Sequence, residues 1–386
     1  MMVFNIFKTF FLLGCTSFGG PAAHLGYFRK LFVEQLKWVD EPQYAQWIAI
    51  SQVMPGPGSS QVGFAIGCHR AGIMGGLAAF VGFTLPSVML MCAFAWFGTL
   101  VVGEQWFTNI ISALKLMAVV IVADAALGMY RSFCSSRTLK LMALAGVLFT
   151  LAWPFGFAGL WLVAIAGLLG AGMRSKETPS MKDHRRPSLV RANVALVIFV
   201  VLFVVSLMLP DQGVAGLAAQ FYQSGSLVFG GGHVVLPLIS EFVSNDVSTS
   251  QVLTGYAAAQ AVPGPMFTIA TYLGAMVAPA EHSIIWALVA TGAIFAPGLL
   301  LMLVGQAYWQ RLAGYARAQG AVQYINAAVV GLLVATLVFP IIPTSVTTYW
   351  QIVVVGAAFV WVHGFKPPIW QVVVAFLAGA MTASLL

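Results

Sequence analysis

The sequence predicts an all-α, polytopic membrane protein of two inverted-topology repeats, with re-entrant or broken helices and about 10–13 membrane segments. Three observations carry this reading. Of 386 residues, 60% are hydrophobic and only 8% charged, against about 25% charged in a soluble domain. That is too little charge to dress a water-facing surface. Apolar runs recur along the chain, many near the ~20 residues that cross a bilayer as helix, and the period-2 alternation of a β-barrel is absent. Short glycine- and proline-bearing motifs interrupt these runs, and they do so twice.

The first repeat, taken as 1–172, opens with apolar Met2–Ser17, broken at Phe18-Gly19-Gly20-Pro21 before an amphipathic Ala22–Gln35. No cleavable signal peptide is expected, because no small-residue cleavage site comes after the first apolar run. Glu41–Met54 and Pro57–His69 come next. Each spans roughly 20 Å as helix, short of the ~30 Å hydrocarbon core. Arg29, Lys30 and Lys37 precede them and Arg70 lies just beyond, so both ends face one side. A re-entrant hairpin with Pro55-Gly56-Pro57 at its tip is expected. Segments 73–102 and 109–130 then cross.

The stretch 173–191 holds six Lys/Arg and two acids, and reads as a basic cytoplasmic linker. A connecting helix over 192–210 has no partner in the first half. The second repeat, 211–386, restates the first: Phe229-Gly230-Gly231-Gly232 answers the first glycine break, and Gln260-Ala-Val-Pro263-Gly264-Pro265 answers Gln52-Val-Met-Pro55-Gly56-Pro57. Pro86 matches Pro297, and Met117–Ala123 matches Ala327–Leu333. Four matches in one order, at offsets of 211, 208, 211 and 210, indicate an internal duplication.

Loop charges orient the halves. The loop after 73–102 carries Glu104 and no base, whereas the one after its counterpart carries Arg311 and Arg317. The loop after 109–130 carries Arg131, Arg137 and Lys140, whereas its counterpart is uncharged. Lys and Arg favour the cytoplasm, so the halves are expected upside down relative to each other, with the N-terminus cytoplasmic. A parallel duplication is the alternative.

Two prolines remove two backbone donors and forbid continuous helix, and Gly56 or Gly264 permits positive φ. One helix ends and another begins inside the membrane. The new N-terminus presents the amides of Gly58, Ser59 and Ser60, or of Met266, Phe267 and Thr268, toward an anion. The glycine breaks read as companion tips, with glycine packing between helices as the alternative. Ionisable side chains at membrane depth are functional candidates. His24 and His233 each come after a glycine break, as ligands, proton carriers or plain hydrogen-bonding groups. Lys115 sits mid-segment, either attracting an anion or pairing structurally, and Asn326 is its counterpart. Asp124 reads as a terminal charge near Arg131.

The four cysteines are scattered without a metal-binding or disulfide pattern. No cofactor is expected, nor nucleic-acid binding from the net charge of +7, which sits in short loops. No phosphate-binding nucleotide loop is present, and the 11 acids lie mostly in loops, which disfavours an enzyme. The pattern suits a secondary transporter of a small anion, or a passive channel. The anion would lie near the midplane, with hydroxyls of Ser59, Ser60 and Thr268 and amides of Gln52 and Gln260 completing its shell. Assembly into a homo-oligomer is left open.

The paired FGG…H and Q-x-x-PGP elements, in order in both halves, resemble the chromate transporter family, long-chain two-domain type. The resemblance covers nearly the whole chain, on Phe18–Pro21 with His24, Gln52 with 55–57, Phe229–Gly232 with His233, Gln260 with 263–265, and Asn326–Val330. It departs at Met266, where a smaller residue is expected, and at the Lys-Leu-Met before Ala118. It implies export of chromate, with sulfate as competitor, from the bacterial cytoplasm across the inner membrane. It further implies proton coupling and chromate resistance.

Overall fold

The computed structural model describes residues 1–101, 104–153, 158–173, 188–210, 212–229, 232–243 and 247–385, and all regular structure among them is helical. The first half runs α1 (Met2–Thr16), α2 (Gly20–Phe28), α3 (Glu41–Val53), α4 (Gly58–Leu100), α5 (Gln105–Phe133), α6 (Arg137–Ala152) and α7 (Ala158–Gly172). Helix α8 (Leu189–Met208) connects the halves. The second half runs α9 (Gly213–Ser226), α10 (Val235–Phe242), α11 (Thr249–Ala261), α12 (Ile269–Val277), α13 (Ser283–Gly314), α14 (Ala316–Thr336), α15 (Ile342–Ser345), α16 (Tyr349–Phe365) and α17 (Ile369–Leu385). Of the expected linker, 174–187 lie outside the described residues.

Helix α4 counts 43 residues but is not one rod. Ala71 and Gly72 leave helical geometry, and Gly72 takes φ +64°, a conformation that glycine adopts without steric cost. The bend divides α4 into arms 58–70 and 73–100. Helix α3 and the first arm therefore form the short hairpin that their length requires, with 55–57 at its tip. The second half repeats it with α11, a 3₁₀ turn over Met266–Thr268, and α12.

Corresponding residues start corresponding helices. Asp40 accepts from the Gln43 amide at 2.9 Å and caps α3, and Ser248 caps α11 in a reciprocal pair with Gln251. Ser136 caps α6, and Thr348 caps α16. Each cap satisfies an amide the helix leaves orphaned, worth about 1 kcal/mol.

Packing interlocks the halves. Helix α1 lies on α4 and α9 on α13, but α5 packs against α16 and α17, while α14 packs against α6 and α7. Among the described residues five helices are long and apolar enough to cross a membrane. Of these, α14 is 67% buried along its span and α8 only 17%, which makes α14 a central post and α8 a lipid-facing connector. Six shorter apolar helices complete the set. Close approach rests on small residues. A Cβ at Gly331 would come within 2.2 Å of the Ala143 carbonyl oxygen, and one at Gly170 within 2.3 Å of that of Gly320. Arm 73–100, α5, α6, α7 and α8 separate the two sets of hairpins.

Gly331→Val is expected to destabilise the fold by about 1–3 kcal/mol through overpacking, lowering the thermal midpoint in detergent. Gly356→Val, whose Cβ meets nothing within 4 Å, leaves it unchanged. A cysteine at Glu104 is expected to label from outside the cell and one at Tyr315 only from the cytoplasm. Equal sidedness would mean parallel halves.

Candidate functional site

The two PGP tips do not hang free, because each is pinned by the opposite half. The Gly56 amide donates to the Val228 carbonyl at 2.8 Å, and the Gly264 amide donates to the Ser17 carbonyl at 2.8 Å. Val228 and Ser17 are the residues just before the two FGG breaks. Thus all four helix interruptions meet in one crossed arrangement. Positive φ makes this possible, at +122° for Gly56 and +103° for Gly264. The tips also sit tightly. A Cβ on Gly56 would lie 2.6 Å from the Gly298 Cα, and one on Gly264 would lie 2.0 Å from the Ser87 Oγ. Gly298 and Ser87 are themselves repeat counterparts, each just after a helix-interior proline.

In the first half, Gly19 and Gly20 turn the chain with φ +102° and +73°. His24 is fully buried one turn later. A carbonyl can only accept, so His24 Nε2–H donates to the Ser17 oxygen at 3.1 Å, and the other nitrogen, Nδ1, lies 3.3 Å from the Ser59 hydroxyl. His24 is therefore a brace between the glycine break and the start of α4, the plain hydrogen-bonding role among those open for it. The first turn of α4 leaves the Gly58, Ser59 and Ser60 amides ahead of the first ladder bond, from Gln61 N to Pro57 O. The hydroxyls of Ser60 and Ser17 are buried and meet no partner among the described residues.

Of the second half, Gly230 and Gly231 lie outside the described residues, and the rest differs in three ways. The segment after Pro265 is a 3₁₀ turn rather than the start of an α-helix, and the Thr268 amide donates to Pro265 O at 3.1 Å. The Thr268 hydroxyl also donates to Pro265 O, at 2.8 Å, so this side chain caps its own turn. Met266 fills the space between the breaks: its side chain faces Gly20 and Gly232, and Gln260 Nε2 approaches its sulfur at 3.0 Å. His233 Nδ1 lies 2.7 Å from the Tyr256 hydroxyl.

Other candidates separate. Gln52 is exposed on α3 whereas its counterpart Gln260 is buried. Gln61 stands at the tip instead. Its amide donates to Pro55 O at 2.9 Å and to Gly298 O at 3.0 Å, tying the first tip to the second half. Sequence reading missed Gln61, although it lies four residues past the second proline, one helical turn from the tip. Lys115 is half-buried on α5 with no carboxylate paired to it among the described residues. Asn326 is buried on α14, its Oδ1 unpartnered among the described residues. Asp124 is not merely a terminal charge. It receives His363 Nδ1–H at 2.8 Å, a contact 239 positions away in sequence.

Broken helices pinned crosswise, with orphan amides and hydroxyls at the crossing, define a duplicated polytopic membrane protein with an interior polar site. The family model for the chromate transporter matches residues 4–171 and again 215–380, and the chain belongs to that family. A chromate transport protein of Pseudomonas aeruginosa is 26% identical over 97% of this chain and 90% of its own length. A probable chromate transport protein of Synechococcus elongatus is 26% identical over 85% of this chain and 82% of its own. An uncharacterized transporter of Methanocaldococcus jannaschii is 27% identical over 86% and 83%. No solved structure matches the chain.

Gly56→Ala is expected to cost about 100-fold in transport, since displacing a tip by an ångström misplaces every donor on it. Gly264→Ala is expected to cost less and to recover in part with Ser87→Ala, because its clash is with a side chain, whereas that of Gly56 is with backbone. Flux in proteoliposomes checks both.

Proposed function

We propose that the chain is a secondary transporter that exports chromate from the bacterial cytoplasm across the inner membrane, coupled to protons and conferring chromate resistance. The crossed tips carry this reading. A tetrahedral dianion entering there meets the amides of Gly58, Ser59 and Ser60, the free hydroxyls of Ser17 and Ser60, and the positive end of the first α4 arm. Sulfate has the same shape and charge and is expected to compete.

Exposure is unequal between the halves. Gly19, Gly26, Glu41, Ala45 and Gln52 are exposed on the first-half hairpins, while α11 from Val252 to Gln260 is buried. Helix α11 packs on α5 and α17 in addition to α12 and α4, whereas its counterpart α3 has only the matching pair, α4 and α13, among these contacts. Small and polar exposed residues suit water rather than lipid. The first-half loops carry the bases Arg29, Lys30 and Lys37, so this opening is assigned to the cytoplasmic side, with the N-terminus and the linker cytoplasmic. The conformation is then the one that receives substrate for export. Movement of the crossed hairpins together against the surrounding helices exposes the site outside.

Purified protein in proteoliposomes is expected to accumulate chromate against its own gradient when a pH gradient is imposed, and sulfate in excess is expected to reduce the rate. Flux that only dissipates a chromate gradient would make the protein a channel.

A further inference from the structure

Helix α5 carries Asp124 and Arg131, and α16 carries His363 in its last turn. His363 lies between them, with Nδ1 2.8 Å from Asp124 Oδ1 and Nε2 3.2 Å from an Arg131 guanidinium nitrogen. Arginine has only donors. Its contact with Nε2 therefore fixes that nitrogen as an acceptor, and the ring proton must sit on Nδ1, donated to Asp124. The imidazole drawn by these contacts is neutral. A proton can add only to the Nε2 lone pair, the place Arg131 occupies.

We infer that Asp124, His363 and Arg131 form the proton-binding site of the transporter, in which a proton on His363 Nε2 and the Arg131 contact exclude each other. Proton addition forms an N–H bond at Nε2, breaks the Arg131 hydrogen bond, and sets two cations side by side, so Arg131 moves off. The resulting imidazolium keeps its Nδ1–H contact to Asp124. Losing the arginine link leaves the Asp124–His363 contact as the remaining side-chain tie of this cluster between α5 and α16, so the two helices shift about it. Helix α5 is also the wall against which α11 is packed, and α11 ends at the second PGP tip, so the change reaches the crossed tips through α11.

The surroundings supply a route rather than a barrier. Asp124 and His363 side chains are 38% and 31% exposed, enough to exchange with water. Toward the second tip, His233 Nδ1 lies 2.7 Å from the Tyr256 hydroxyl. The remaining titratable groups on these helices and those packed on α5 are Lys115 and Tyr130 on α5 with Cys134 after it, Tyr349 on α16 with Lys366 after it, Tyr256 on α11, and Arg317 and Tyr324 on α14. The occupied arginine contact matches a site that has released its proton to the cytoplasm, in keeping with the opening on that side.

This inference rests on the transport reading, and two measurements separate them. In a cysteine-free background, spin labels are placed at Gly128→Cys and Gly364→Cys, where a Cβ meets nothing within 4 Å. The distance between them is expected to change when the pH is lowered and to return when it is restored. His363→Gln keeps an acceptor for Arg131 and a donor for Asp124, so it holds the neutral arrangement and abolishes the change. In proteoliposomes, His363→Gln and Asp124→Asn are expected to lose pH-gradient-driven chromate accumulation by about 10-fold or more while keeping chromate counterflow. A pH-independent distance in the parent, full driven accumulation in His363→Gln, or loss of counterflow in both variants would overturn the site. Failure of the parent to move chromate would sink the transport reading alone, and the distance would still decide the triad.

Discussion

The structure depends on a reciprocal pair of backbone hydrogen bonds, Gly56 N–H to Val228 O and Gly264 N–H to Ser17 O. Each half supplies a tip and receives one. Inside a bilayer, irregular backbone survives only where other protein groups satisfy it, and here the opposite half does so. The repeats are not two modules side by side, because neither tip has its partner without the other half. This explains why glycine stands at both tips. The donated amide demands positive φ, and the neighbouring atoms leave no room for a Cβ.

The two halves nonetheless use the crossing differently. The first half presents serines, a helix N-terminus and exposed glycines. The second presents Met266, a 3₁₀ turn and a threonine that caps itself. A symmetric cage would bind a dianion equally from both sides and would have no reason to change shape. An unequal one has a donor-rich wall on the α4 side and an adaptable apolar plug on the other, since methionine is unbranched and fits irregular space. The Glu241 carboxylate reinforces the imbalance. It accepts from the Gly159 amide at 2.8 and 2.9 Å, tying α10 to the start of α7 on the second-half side.

Much of this was legible in the sequence. Hairpin arms, tips and the duplication come from local rules: proline removes donors and glycine allows positive φ. The expected polarity of the halves comes from loop charge. What could not be read was which residues meet across the duplication. Gln52 and Gln260 are equivalent in sequence but not in burial. Gln61 bridges to Gly298, and His363 reaches Asp124, through tertiary packing between elements more than 230 positions apart, for which no local pattern exists. Asp124 therefore read as a helix-end charge when judged from its own segment alone.

The central claim is that the oxyanion binds where the four breaks cross. Crystals of the protein soaked with chromate, measured at the chromium absorption edge, place the metal directly. The account predicts one anomalous peak beside the first turn of α4, within contact of Ser60 and the Gly19-Gly20 turn and lost in Gly56→Ala crystals. A peak elsewhere in the membrane interior, with none at the crossing, would contradict it.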